Sequence, residues 1–100
     1  MGRPSAVRVI GKTYAVVWTR GRPLDDGNAG EMDPDKQRLH IRDGTPLEQE
    51  QDTLLHEVVH AIDHELDLKF SERQVRAFAT GLLACFKDNP RFFTYLRKRK

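Results

Sequence analysis

The sequence predicts an α+β fold, a small antiparallel sheet of about three strands followed by three helices. Two observations carry this expectation. Up to Arg42, short apolar and alternating runs are broken by Gly, Pro and Asp. From Thr45 onward, apolar residues recur at helical spacing behind distinct helix-start signals. At 100 residues the chain is expected to form one domain, spanning 1–100, with no internal repeat, low-complexity tract or linker.

The strands are expected within about 6–42. "AVRVIGKTYAVVW" (Ala6 to Trp18) reads as two short strands joined in a hairpin at Gly11-Lys12. A long connection follows, with turn signals at Asp26-Gly27 and Asp33-Pro34 and a short strand around Gly30 to Met32. In "KQRLHIRD", Leu39 and Ile41 share one face while Arg38, His40 and Arg42 share the other. That is a half-buried strand, and its charges point to a sheet edge.

Thr45-Pro46-Leu47-Glu48 opens the first helix, expected over about 46–66. Thr45 is placed to cap, Pro46 suits the first helical position, and Glu48 would complete a capping box. Ser71-Glu72-Arg73-Gln74 is a second capping box, opening a helix over about 71–86. Asn89-Pro90 opens a third, over about 90–98, carrying Phe92, Phe93 and Leu96.

Composition narrows the function classes. No wholly apolar run, Ala15 to Trp18 included, exceeds about five residues, too short to span a bilayer, so a membrane is not among the expected partners. "MGRPSAVRVIG" has no apolar signal region, and Ala6 breaks the myristoylation pattern. The single Cys85 excludes an intrachain disulfide and any multi-cysteine zinc cluster, which fits a reducing, cytoplasmic location. A net charge of +2 is no nucleic-acid footprint. The basic residues are uneven, however, and "LRKRK" at the C-terminus reads first as a solvated end and second as a phosphate or nucleic-acid contact.

The chemistry-bearing stretch is "TLLHEVVHAIDH", Thr53 to His64, which has the pattern H-E-x-x-H. On a helical wheel, Leu55, Val58, Val59, Ile62 and Leu66 form one apolar face with Leu54 at its border. His56, His60, Asp63 and His64 gather opposite, and Glu57 stands at the margin of the histidine face. Histidines four apart point the same way from successive turns, so one zinc ion fits between His56 and His60. Glu57, directly after the first histidine, points beside such an ion and is placed to take a proton from a bound water. The competing reading is a surface helix whose histidines are solvated or paired with Asp63, Glu57 and Glu65.

A catalytic zinc usually has three protein ligands. His64 is an awkward third, because eight residues of helix place it about 12 Å along the axis from His56. Asp63 is better placed as a hydrogen-bond partner of a ligand imidazole. Glu72 is the candidate from another segment, although an acidic residue suits the first turn of any helix. Its use requires the first helix to end near His64–Leu66, or a steep crossing of the two helices. Asp67, Asp63 and His64 remain the alternatives.

"TLLHEVVHAID" followed by "ERQVRAFATGLL" resembles the small gluzincin-type metallopeptidases of the ImmA/IrrE-like class and related phage-borne zincin-like proteins. In that class the HExxH helix precedes a helix written roughly E-x-x-A-x-x-F-A. Glu72, Val75, Phe78 and Ala79 stand at those positions, with Val75 replacing the alanine and Arg76 standing where asparagine is common. The resemblance spans about Leu54 to Leu83 and departs in the short connection, 11 residues between His60 and Glu72. It implies a zincin-like core, with Glu72 as the third zinc ligand and hydrolysis of a peptide or protein substrate. In such a protein the strand preceding the active helix, Lys36 to Arg42, would bind substrate by strand addition. His40, Tyr14 and Tyr95 are each capable of stabilising an oxyanion, though none is placed near the metal by the sequence. The alternative function is a catalytically silent binding module for a protein or nucleic-acid partner.

Overall fold

In the computed structural model, which describes residues 2–20 and 29–99, the chain runs through four strands and then three helices. The strands are β1 (Ala6–Val9), β2 (Lys12–Thr19), β3 (Gly30–Asp33) and β4 (Arg38–Arg42). The helices are α1 (Leu47–Leu66), α2 (Glu72–Asp88) and α3 (Pro90–Arg97). The α+β class is as expected. The expected turn at Asp26-Gly27 lies outside the described residues.

The hairpin turns at Ile10-Gly11, one residue earlier than its expected place, with Val9 paired to Lys12. Both turn residues have positive φ, 46° and 81°, the handedness that matches strand twist in a two-residue hairpin. The Asp33-Pro34 signal is also a turn. The Asp33 carboxylate accepts hydrogen bonds from the Asp35 and Lys36 amides, and Gln37 takes the left-handed conformation before β4 begins.

Two sheet expectations need correction. The sheet has four strands in the order β1-β2-β4-β3, and it is mixed, because β2 and β4 run parallel. β4 is therefore an inner strand and not the edge. Its charges misled because they report which face is wet, not which strand is outermost. Leu39 and Ile41 are buried, while Arg38 and His40 lie opposite Asp33 and Glu31 on the solvent face. The edge beside the helices is β3.

α1 packs on the inner face of this sheet. Tyr14, Leu39, Ile41, Val9 and Val16 form the core with Ala61, and Leu54, Val58 and Ile62 lie against it. Burying a leucine or isoleucine fully contributes about 1.5–3 kcal/mol. A second, smaller cluster joins α1 to α2 through Val59, Val75 and Ala79, flanked by Leu55 and Phe70. The single apolar face drawn on the wheel is thus two faces with different partners. Leu66 belongs to neither and is exposed, whereas Ala61 is buried in the first.

The helix starts differ in quality. α1 begins at Pro46 with no side-chain cap, so the Thr45–Glu48 box is not formed. Its start is held from outside instead. Arg3 donates to Asp43 at 2.6 Å and to Glu50 at 2.8 Å, and its guanidinium lies 4.2 Å over the Trp18 ring. The α2 box is complete, with the Ser71 hydroxyl accepting from the Gln74 amide and the Gln74 side chain accepting from the Ser71 amide.

Candidate metal centre

α1 is the floor of an open cleft of about 730 Å³, bounded by β3 on one side and α2 on the other. Its direction is set by the two apolar faces. With Leu54 and Val58 turned to the sheet and Val59 to α2, the stripe between them carries His56, Glu57 and His60 into the cleft.

The short α1–α2 connection brings the next helix back onto this stripe. α1 ends at Leu66, where Asp67 takes the left-handed conformation (φ 52°) and its amide returns to the Asp63 carbonyl. Lys69 is left-handed as well, and the Phe70 amide donates to the Asp63 carboxylate at 3.3 Å. These reversals complete the turn within five residues. Ser71 then caps α2, so Glu72 is its first residue and faces α1.

There the Glu72 carboxylate meets both imidazoles. Its two oxygens lie 2.6 Å from His56 Nε2 and 3.0 Å from His60 Nε2. The two rings pack edge to face with centroids 4.9 Å apart. One ligand atom from each of His56, His60 and Glu72 lies within 4.8 Å of the others. Two imidazole nitrogens and a carboxylate oxygen are a donor set that zinc accepts. Bonds of about 2.0–2.1 Å imply ligand atoms roughly 3.3 Å apart, so small rotations of the exposed Glu72 side chain accommodate an ion.

Glu57 is buried on the β3 side of the stripe. Burial, and secondarily the negative charges of Glu72 and Glu31, push its carboxyl up to about 7. The neighbour that permits this position is Gly30. A Cβ there would stand 2.7 Å from Thr53 Cγ2 and 2.9 Å from Glu57 Oε2, so a side chain at this position would have to displace Thr53 or the end of Glu57. The sequence predicts a strand around Gly30 to Met32 but assigns the glycine no role. The available signal was an isolated glycine inside a short strand, which often marks close backbone approach.

The other candidates are dispersed. The Asp63 carboxylate serves the α1–α2 turn instead of an imidazole, Asp67 is the exposed C-cap, and His64 is exposed beyond the cleft. Tyr14 is fully buried under the sheet and donates to Glu65 at 2.7 Å. His40 faces the solvent side of the sheet opposite Glu31, and Tyr95 is exposed on α3. None of these three lines the cleft. Arg76 and Thr80 do, from successive turns of α2 beyond Glu72, and Thr80 donates to Asp52 at 3.1 Å. Comparison with protein-family models, curated proteins and solved structures gave no match.

Proposed function

We propose that this chain is a zinc-dependent peptidase with a zincin-like core, in which His56, His60 and Glu72 hold the metal and Glu57 is the general base. The observation that supports it best is the convergence of three ligand atoms from two helices beside a buried carboxylate. Zinc held there would polarise a peptide carbonyl and activate a water. Glu57 takes the proton of the attacking water and returns it to the departing amine nitrogen. The strand β3, outermost among the described strands, in place of the inner strand β4, offers its outer backbone edge to an extended substrate laid along the cleft.

A second reading is a zincin-like binding module that turns nothing over.

Metal analysis and a mixed-peptide digest separate the two. The peptidase reading expects one zinc per chain, lost in His56→Ala, and hydrolysis that Glu57→Gln lowers by roughly 10²–10⁴-fold with the zinc retained. Zinc without hydrolysis leaves the binding module. No stoichiometric zinc in the wild-type protein removes the peptidase reading.

A further inference from the structure

Residues 71–100 contain eight of the chain's 17 Lys and Arg, but two of its 15 Asp and Glu. The fold collects this excess on α2, α3 and the segment after them. α3 leaves all its large apolar side chains in solvent: Phe92 is 48% exposed, Phe93 40%, Tyr95 69% and Leu96 53%. At 100° per residue these four cover an arc of about 160°, with Arg91 and Arg97 at its two borders and Thr94 opposite.

The apolar surface continues onto α2. Phe93 meets Phe86 with ring centroids 4.8 Å apart. Phe86, Leu82 and Phe78 follow one another at four-residue spacing, and Phe78 meets Phe70 at 5.2 Å. Phe78 and Leu82 are exposed. The bordering cations are uncommitted. Arg91, Lys98 and Arg99 make no ion pair among the described residues, and Arg97 lies 6.0 Å over the Phe93 ring.

Charge and chemistry decide between occupants. A second copy docked symmetrically would set like charges against each other. Nucleic acid would satisfy the cations and leave the apolar ridge in water. A protein partner would need carboxylates matched to fixed cations, yet Lys98 and Arg99 follow α3 in extended chain. An anionic lipid surface offers headgroup phosphates as a diffuse negative layer, with the acyl boundary just beneath for phenylalanine and leucine. We infer that α3 and the adjoining stripe of α2 are a docking face for an anionic membrane surface. No helix among the described residues is long and apolar enough to cross a membrane, and lying on one requires no such helix. This inference is independent of the zinc reading.

Co-sedimentation of the full chain with phosphatidylcholine vesicles, with and without a minority of phosphatidylglycerol, tests it. The anionic vesicles are expected to bind roughly tenfold or more tightly than the neutral ones, and added salt should narrow the gap. The double variant Phe92→Ser, Leu96→Ser and the double variant Arg91→Glu, Arg97→Glu should each weaken binding, by roughly fivefold for every cation removed. All four side chains are exposed, so both variants should keep the wild-type circular dichroism. Emission of Phe92→Trp should shift to the blue on anionic vesicles. The inference is overturned if the wild-type chain binds neither vesicle, binds both equally, or binds as well in both double variants. It is also overturned, in favour of a second copy, by a concentration-dependent dimer that the serine variant dissolves.

Discussion

Arg3 and Arg97 are the same side chain in opposite circumstances. Arg3 is stacked on Trp18 and bonded to Asp43 and Glu50, fastening the N-terminal segment to the start of α1. Arg97 has an aromatic ring below it and, among the described residues, no carboxylate partner. Leucines divide the same way, with Leu39 fully buried and Leu96 exposed. The part built from the sheet and α1 encloses the main core, although Ile10, Leu47 and Leu66 stay exposed. The part built from α2 and α3 is attached through a small cluster, Val59 with Val75 and Ala79, and through polar pairs such as Thr80 with Asp52. The His56, His60 and Glu72 cluster lies on the seam, two side chains from the well-packed side and one from the lightly held side. An ion bound there would therefore also fasten α2 to α1, so ligand binding and the docking of α2 are linked.

The largest expected effect lies on the inward side. Leu39→Ala removes a fully buried side chain from an inner strand between the two sheet edges and α1. It should destabilise the protein by about 2–5 kcal/mol in urea unfolding, the usual cost of such a cavity. A loss below about 1 kcal/mol would break the contrast, because the sheet core would then be no better packed than the α2–α3 surface.

What could be read from the sequence divides along physical lines. The histidine pair and Glu57 were legible because helical period is local: two positions four apart share a face whatever the helix packs on. Glu72 was legible as a helix start because the Ser71–Gln74 box is also local. Its meeting with the histidines was only one of several candidates, since it depends on Asp67 and Lys69 adopting left-handed backbone. Nor was the place of β4, because strand order is set by long-range pairing, whereas alternation reports only which face is wet. The Thr45 cap failed for a related reason. Local preference named a cap, and the Arg3 clasp from the far N-terminus holds that helix start instead.

A smaller effect comes from pH. Burial, with Glu65 as hydrogen-bond acceptor and neighbouring charge, pushes the Tyr14 hydroxyl up to about 12 from 10.0. A group whose pKa is higher in the folded state contributes stability that is complete below the unfolded value and is lost as pH rises toward the folded one. The protein should therefore lose about 1 kcal/mol between pH 8 and pH 11 through this residue alone. Tyr14→Phe should remove that alkaline loss while lowering stability at pH 8, because Glu65 loses a partner. If the difference between wild type and Tyr14→Phe is the same at pH 8 and pH 11, Tyr14 is not held inward as the core packing implies.

The smallest effect is the sharpest test of the outward side. Phe92→Ala and Leu96→Ala truncate side chains that are about half exposed on a helix with no buried residue. Each should change stability by less than about 0.5 kcal/mol, a loss far below that of a core leucine. Large apolar groups that contribute so little to the fold leave their presence on the surface unexplained by folding alone. If either truncation instead costs about 2 kcal/mol or more, α3 is packed in solution against something this fold does not place there, and the outward side is already occupied.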